Sequence, residues 1–227
     1  MEEKVSLLKL FERCAYGGGY SEVGHDVDYL FLNKGEELRI MFKPSDSSMD
    51  WIRNFWFFPK TKEPYKGMES EYKVHGGFLT AWKEVEDIVI DKIIEKKKSG
   101  EFRWAKITVV GYSHGGALAT LCHECVWFYR PDLRHGKISG YAFEAPRVLA
   151  RFFVPKRLKE RWENFFVIRN GGDIVTHMPP WLFRFTHVGE LIKIKGDVSV
   201  CSNPKAPRCV KWHYPEVVVD GLKKAGL

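Results

Sequence analysis

Lys106–Gly111 is an apolar, β-branched run that passes without a spacer into Gly111-Tyr112-Ser113-His114-Gly115-Gly116-Ala117, and then into mainly small and apolar residues as far as Tyr129, just before Pro131. A strand that turns directly into a helix around a serine leaves few folds open to a chain. The pattern G-x-S-x-G in this setting predicts a nucleophile elbow, in which Ser113 occupies a strained turn and its hydroxyl stands clear of the sheet. Gly111 and Gly115 remove side chains that would collide where strand and helix pack closely. The helix N-terminus offers amides and positive potential to a developing oxyanion. Three fixed positions at about 7 % frequency match by chance only about 0.1 times in a chain of this length, so the motif counts chiefly through the strand before it and the helix after it. On a tight elbow the adjacent His114 points away from Ser113, and its backbone amide rather than its imidazole is the expected contributor.

The hydrophobic period alternates along the rest of the chain. Leu and Phe at helical spacing predict a helix over residues 3–14, and two strands flank the turn at Asn33-Lys34-Gly35, at Tyr29–Leu32 and Glu37–Phe42. Lys73–His75 reads as a short strand, and residues 79–98 as an amphipathic helix with Val85, Ile88, Val89 and Ile93 on one stripe. Further strands are expected at Ile138–Phe143, Asn164–Arg169 and Glu190–Lys195, and helices at Pro155–Trp162 and residues 215–225. Strands alternating with helices predict an α/β fold, a mostly parallel central sheet with helices on both faces. Sites in such sheets form at the carboxyl ends of strands.

A length of 227 residues suits one α/β domain, taken as residues 1–227, with a sizeable core, and 44 % hydrophobic with 29 % charged residues excludes a disordered chain. The formal charge of +7 is carried by scattered Lys and Arg, so no nucleic-acid partner is expected, while attraction to an anionic lipid surface stays open. Lys96-Lys97-Lys98 reads as the solvated end of the 79–98 helix, where positive charge suits the dipole. Five cysteines cannot all pair within the chain. The first residues lack a basic segment followed by a continuous apolar one, which predicts no signal peptide and a cytoplasmic, reducing location. No run approaches the length of a membrane span.

A serine hydrolase needs a His within reach of the serine and a carboxylate to hold that His in the right tautomer. The chain order Ser, acid, His of hydrolases with this elbow restricts both to residues after Ser113. Asp173 lies just past a strand end, in Asn170-Gly171-Gly172-Asp173; Glu144, after Tyr141-Ala142-Phe143, is the alternative acid. Among His123, His135, His177, His187 and His213, the last lies in a late loop before the final helix, where the order places the base.

Several spaced motifs then resemble the fungal-type, or class 3, lipases of the α/β-hydrolases. Gly111–Ala119 resembles the family's G-H-S-L-G-G-A-L-A, and Val74-His75-Gly76-Gly77-Phe78 its V-H-x-G-F. Ala142-Phe143-Glu144-Ala145-Pro146-Arg147-Val148 resembles T-F-G-x-P-R-V, and Asn170 to Pro180 resembles N-x-x-D-x-V-x-x-x-P-P with Asp173 at the acid position. His187-Val188-Gly189-Glu190 resembles H-x-G-x-E. The resemblance runs from about residue 38 to 217. It implies Asp173 rather than Glu144 as the acid, and structural roles for His75 and His187. It also implies a lipid acyl ester as substrate and no cofactor.

The oxyanion segment departs from the family's R-G-T or R-G-S, reading Phe42-Lys43-Pro44-Ser45 before Asp50-Trp51. By position Ser45, with the His114 amide, is the expected oxyanion pair, and the amides around Gly76-Gly77 are the rival. Triacylglycerol is the first substrate the resemblance suggests. Phospholipids, monoacylglycerols, polyesters and feruloyl-type esters remain open, as does a non-catalytic scaffold that binds a lipid or a protein. Residues 46–58, rich in aromatics, are a candidate lid, with Trp51, Ile52, Phe55 and Trp56 as its apolar face and a transient lipid-surface contact as its use. Phe55–Phe58 reads equally well as a buried edge strand. Cys122-His123-Glu124-Cys125 offers two ligands at zinc spacing, but no second compact pair completes a site; no metal is expected. Cys201 and Cys209 flank a Pro-containing loop and could bridge under oxidising conditions.

Overall fold

The computed structural model describes residues 6–24, 27–43, 59–62, 72–151 and 153–227. Its strands are β1 (Ser21–Val23), β2 (Val27–Lys34), β3 (Glu37–Lys43), β4 (Pro59–Lys62), β5 (Tyr72–His75), β6 (Lys106–Tyr112), β7 (Ile138–Phe143), β8 (Leu149–Ala150), β9 (Phe165–Asn170), β10 (Phe185–Thr186) and β11 (Glu190–Ile194). Its helices are α1 (Leu7–Tyr16), α2 (Gly76–Ile93), α3 (His114–Tyr129), α4 (Lys156–Lys159), α5 (Arg208–Lys211) and α6 (Pro215–Ala225).

Among the described residues the main sheet has seven strands in the order β1-β2-β3-β6-β7-β9-β11. From β3 to β11 every neighbouring pair is parallel, whereas β1-β2 and β2-β3 are antiparallel. The pleat sends successive side chains to opposite faces, and the core divides accordingly. Leu38, Ile40, Phe42, Ile107, Val109, Phe165 and Val167 meet α2 and α3 on one face. Met41, Val110, Tyr112, Ile168 and Ile194 meet α1 and α6 on the other. Each fully buried side chain of this size contributes roughly 1.5–3 kcal/mol. Every residue of α3 from His114 to Val126 is buried, as expected of a helix that is apolar on nearly all sides. The mostly parallel sheet with helices on both faces agrees with the sequence expectation.

Two expectations need correction. The helix expected over residues 79–98 runs over Gly76–Ile93. Tertiary partners take its last carbonyls: Trp104 Nε1 donates to Lys92 O at 3.0 Å and Arg130 Nη1 to Ile93 O at 2.8 Å. The chain then folds back through a bridge between Lys96 and Phe102. Lys96-Lys97-Lys98 therefore lies beyond the helix end, and Lys97 pairs with Glu36 at 3.0 Å. Second, a small antiparallel sheet, β10-β8-β5-β4, accompanies the main one. Only β5 was legible beforehand, because β8 and β10, two residues each, are too short to show a period. Among the described residues no helix is long and apolar enough to cross a membrane.

Candidate active site

β6 ends at Tyr112, α3 begins at His114, and Ser113 between them holds φ 56°, ψ −123°. Its N–H donates to Phe143 O at 2.9 Å, tying the turn to the end of β7. Close packing forces the conformation. A Cβ on Gly111 would stand 2.0 Å from Gly115 O, and one on Gly115 would stand 2.2 Å from Phe42 O. Small residues at 111 and 115 let the helix start against the strand tips, and Ser113 is left at the carboxyl end of the sheet.

The structure brings Ser113, His213 and Asp173 together from positions up to a hundred residues apart. Ser113 Oγ is 2.7 Å from His213 Nε2, and His213 Nδ1 is 2.7 Å from Asp173 Oδ2. An ionised Asp173 can only accept, so Nδ1 carries the proton, and Nε2 is left to accept from the serine hydroxyl. Asp173 Oδ1 accepts from Val175 N at 2.9 Å, and all three side chains are buried. This chain of hydrogen bonds can draw the serine proton toward His213 while Asp173 stabilises the resulting imidazolium.

Residues that sequence reading passed over hold His213 in place. Tyr112, the middle letter of the elbow, stacks on its ring at 5.4 Å and 24°, and the Tyr112 hydroxyl donates to His213 O. Burial, then the charge of Asp173, pushes the Tyr112 phenol up, so it stays a donor. Asn170 is fully buried; its Nδ2 donates to Trp212 O at 2.9 Å and its Oδ1 accepts from Gly196 N at 2.8 Å. The Trp212 indole covers Gly171, where φ is +51° and a Cβ would meet the ring at 2.3 Å. The Asn-Gly-Gly before Asp173 thus seats the loop of His213, a role visible only once the late loop is folded back. Arg147 anchors the segment after the acid, donating to His177 O at 2.7 Å and Pro179 O at 3.1 Å.

Glu144, the alternative acid, stands beside the site rather than in that chain. It follows β7 with φ +49° and is fully buried; this left-handed conformation costs a non-glycine residue roughly 1–2 kcal/mol. Donor atoms of Glu144, Asp173 and His213 lie within 4.8 Å of one another. Neither Glu144 carboxyl oxygen makes a well-formed hydrogen bond among the described residues, the Asn170 N–H being the backbone donor on that side. Burial, then the charge of Asp173, raises the Glu144 carboxyl well above the usual carboxylate range. The same three residues are the ones among those described that could converge on a metal ion, but both ring nitrogens of His213 are already engaged.

His114 opens α3, so its N–H is one of those a helix cannot satisfy internally. Ser45 and the lid candidates Trp51, Ile52, Phe55 and Trp56 lie outside the described residues; β3, which leads to them, ends at Lys43 beside the elbow. Gly76 and Gly77 open α2, and the neighbouring Phe78 ring is 5.6 Å from that of His114. His75 is buried between Phe78 and Phe185 rings. His187 Nε2 donates to Thr176 O at 2.8 Å, and burial depresses its pKa to about 4, which keeps it neutral.

The Cys122–Cys125 stretch has other employment. His123 Nδ1 donates to Arg161 O at 3.1 Å, and burial lowers its pKa to about 3. Glu124 pairs with Arg161 at 2.8 Å, and burial raises the Cys122 thiol. All five cysteines are free thiols, Cys201 and Cys209 included.

Known proteins resemble this arrangement. A family model described as Lipase (class 3) matches residues 39–183. A lipase of Rhizomucor miehei is 32 % identical over 172 residues, covering 72 % of this chain and 44 % of that protein. A secreted mono- and diacylglycerol lipase of Fusarium solani is 30 % identical over 155 residues, covering 68 % and 43 %. The solved structure of a triacylglycerol lipase with a serine protease triad as its catalytic centre superimposes with a TM-score of 0.66 at 24 % identity, covering 89 % of this chain and 82 % of that one. The fold is that of the α/β-hydrolases. The chain spans less than half the length of the curated relatives it matches.

Proposed function

The chain belongs to the class 3 lipase family, and from that premise we propose that it is a serine carboxylic-ester hydrolase acting on lipid acyl esters, with triacylglycerol as the foremost substrate. The observation that carries this reading is the unbroken hydrogen-bond chain from Ser113 Oγ through His213 to Asp173 on a left-handed elbow.

In the proposed reaction His213 Nε2 takes the Ser113 proton as Oγ attacks the ester carbonyl. The carbonyl oxygen becomes an oxyanion, for which the His114 N–H and Ser45 are the proposed donors. The C–O bond to the alcohol breaks, and His213 returns the proton to the leaving oxygen. A water then gives its proton to His213 and its oxygen to the acyl carbon; collapse frees the fatty acid and restores the Ser113 hydroxyl. Asp173 holds His213 in the tautomer both steps need and stabilises the imidazolium between them. Residues 46–58 are the proposed lid.

A fluorophosphonate probe should label the wild type at Ser113 and leave Ser113→Ala unlabelled. Hydrolysis should fall in the same variant by several orders of magnitude at an unchanged melting temperature. Labelling elsewhere, or full activity in the variant, overturns the assignment. p-Nitrophenyl esters of graded chain length, triolein, diolein and a phospholipid form the panel that separates substrate classes. Turnover confined to the phospholipid would replace the triacylglycerol reading with that of a phospholipase.

A further inference from the structure

Two carboxyl groups come within 4.8 Å of each other and of His213, and the reaction proposed above uses only one. Asp173 is committed: Oδ2 to His213 Nδ1 and Oδ1 to Val175 N. Glu144 comes from a different element, the end of β7, where Glu144 N donates to Ile168 O of β9 at 2.9 Å. Its backbone is held left-handed at φ +49°, its side chain is fully buried, and it reaches within 4.8 Å of Asp173 and His213. Neither of its oxygens makes a well-formed hydrogen bond among the described residues, and the Asn170 N–H, the backbone donor on that side, opposes protonation less than burial and Asp173 favour it. As two carboxylates the pair would be two sets of acceptors pressed together out of water, an arrangement that repels. A single proton between them turns the contact into a charge-assisted O–H···O⁻ hydrogen bond.

We propose that Glu144 is a positioning residue of this site, a neutral carboxylic acid that donates its O–H to the Asp173 carboxylate and through it sets how strongly His213 holds a proton. The inference rests on the hydrolase reading for its consequence but not for the contact itself. The groups around the carboxyl agree. Burial and the Asp173 charge both favour the protonated form, against smaller opposing effects of the Asn170 backbone and the Arg169 charge. Tyr112, across the site, is itself held neutral. Among the described His, Cys, Asp and Glu residues, His213 is the third group whose ligating atom lies within 4.8 Å of those of Glu144 and Asp173.

A hydrogen bond donated into Asp173 spreads part of its negative charge onto Glu144, so Asp173 stabilises an imidazolium less. Glu144 should therefore keep the acid limb of the activity profile lower than Asp173 alone would. Glu144→Gln retains a donor, whereas Glu144→Met keeps the length of the side chain and removes the donor; both carry the same backbone strain.

The test has two parts. Infrared difference spectra at neutral pH, wild type against Glu144→Gln, should show the carbonyl stretch of a buried protonated carboxylic acid in the wild type, absent from the variant. The acid limb of kcat/KM on a dissolved p-nitrophenyl ester should stay in place in Glu144→Gln and move to higher pH by on the order of one unit in Glu144→Met. A missing acid band, or limbs that coincide in the Gln and Met variants, overturns the proposal. The infrared result needs neither activity nor a folded Met variant. A wild type inert on every ester would sink the hydrolase reading while leaving the state of Glu144 decided.

Discussion

The two ends of α3 bury carboxyl groups in opposite ways. Toward its C-terminal half, Glu124 is matched by the guanidinium of Arg161 at 2.8 Å, and His123 by the Arg161 carbonyl. At the N-terminal end, Glu144 and Asp173 converge on one histidine, and Arg169 opposes the Glu144 shift only as a minor influence. The first region balances its charges and so serves the fold. The second leaves a base, a hydroxyl and two neighbouring carboxyl groups poised, and a strained Ser113 with them. Polar burial is common to both; what separates structure from chemistry is whether the partners cancel.

The largest way to break this comparison is at Asp173. Asp173→Asn should lower turnover about 10⁴-fold, because the amide favours the wrong His213 tautomer, and the melting temperature should barely move. A loss below tenfold in steady-state kinetics would mean that another group orients His213.

Arg161→Met is the counterpart at the other end of α3. It removes the guanidinium facing a buried carboxylate and should cost roughly 3–5 kcal/mol of stability in urea unfolding. Activity per folded molecule should be unchanged. Adding Glu124→Leu should restore most of the stability, since an apolar pair replaces the ionic one. A double variant no better than the single would show that Arg161 acts chiefly through its other contacts.

The smallest effect is the pH dependence of stability at Glu144. A carboxyl raised in the folded state keeps its proton where the unfolded chain has released it. Its contribution is therefore fully present below the unfolded value and is lost as pH rises toward the folded one. Gln cannot ionise, so the stability of Glu144→Gln relative to wild type should grow between pH 5 and pH 8, by about 1.4 kcal/mol for each unit by which the wild-type carboxyl is raised. A difference flat with pH in paired urea titrations would place an ionised Glu144 in the folded protein.

The reach of the sequence varied with the kind of signal. The elbow was legible because strand, turn and helix are contiguous and Gly111 and Gly115 have a local steric purpose. Asp173 and His213 were singled out by chain order and resemblance, and the structure places His213 against Ser113 and Asp173 against His213. The ends of α2 were not legible, since Trp104 and Arg130 cap it from outside the helix. Asn170 showed only as the first letter of the acid motif, and Tyr112 and Trp212 gave no sign of their roles, because the partners of all three are brought near only by folding.

What the chain determined by itself is the alternation of strands and helices, and with it a parallel sheet whose carboxyl ends carry the serine. Short-range sterics and periodic burial suffice for that. Tertiary structure alone decided what Glu144 is. In sequence it is one more acid after a strand, the alternative that the resemblance ranks behind Asp173. In the fold it is a buried acid with a left-handed backbone, facing a carboxylate that is already committed to His213. Protonation depends on desolvation and on the charges within a few ångströms, and those neighbours come from β9, the loop after it and the loop before α6, which no local pattern around residue 144 encodes.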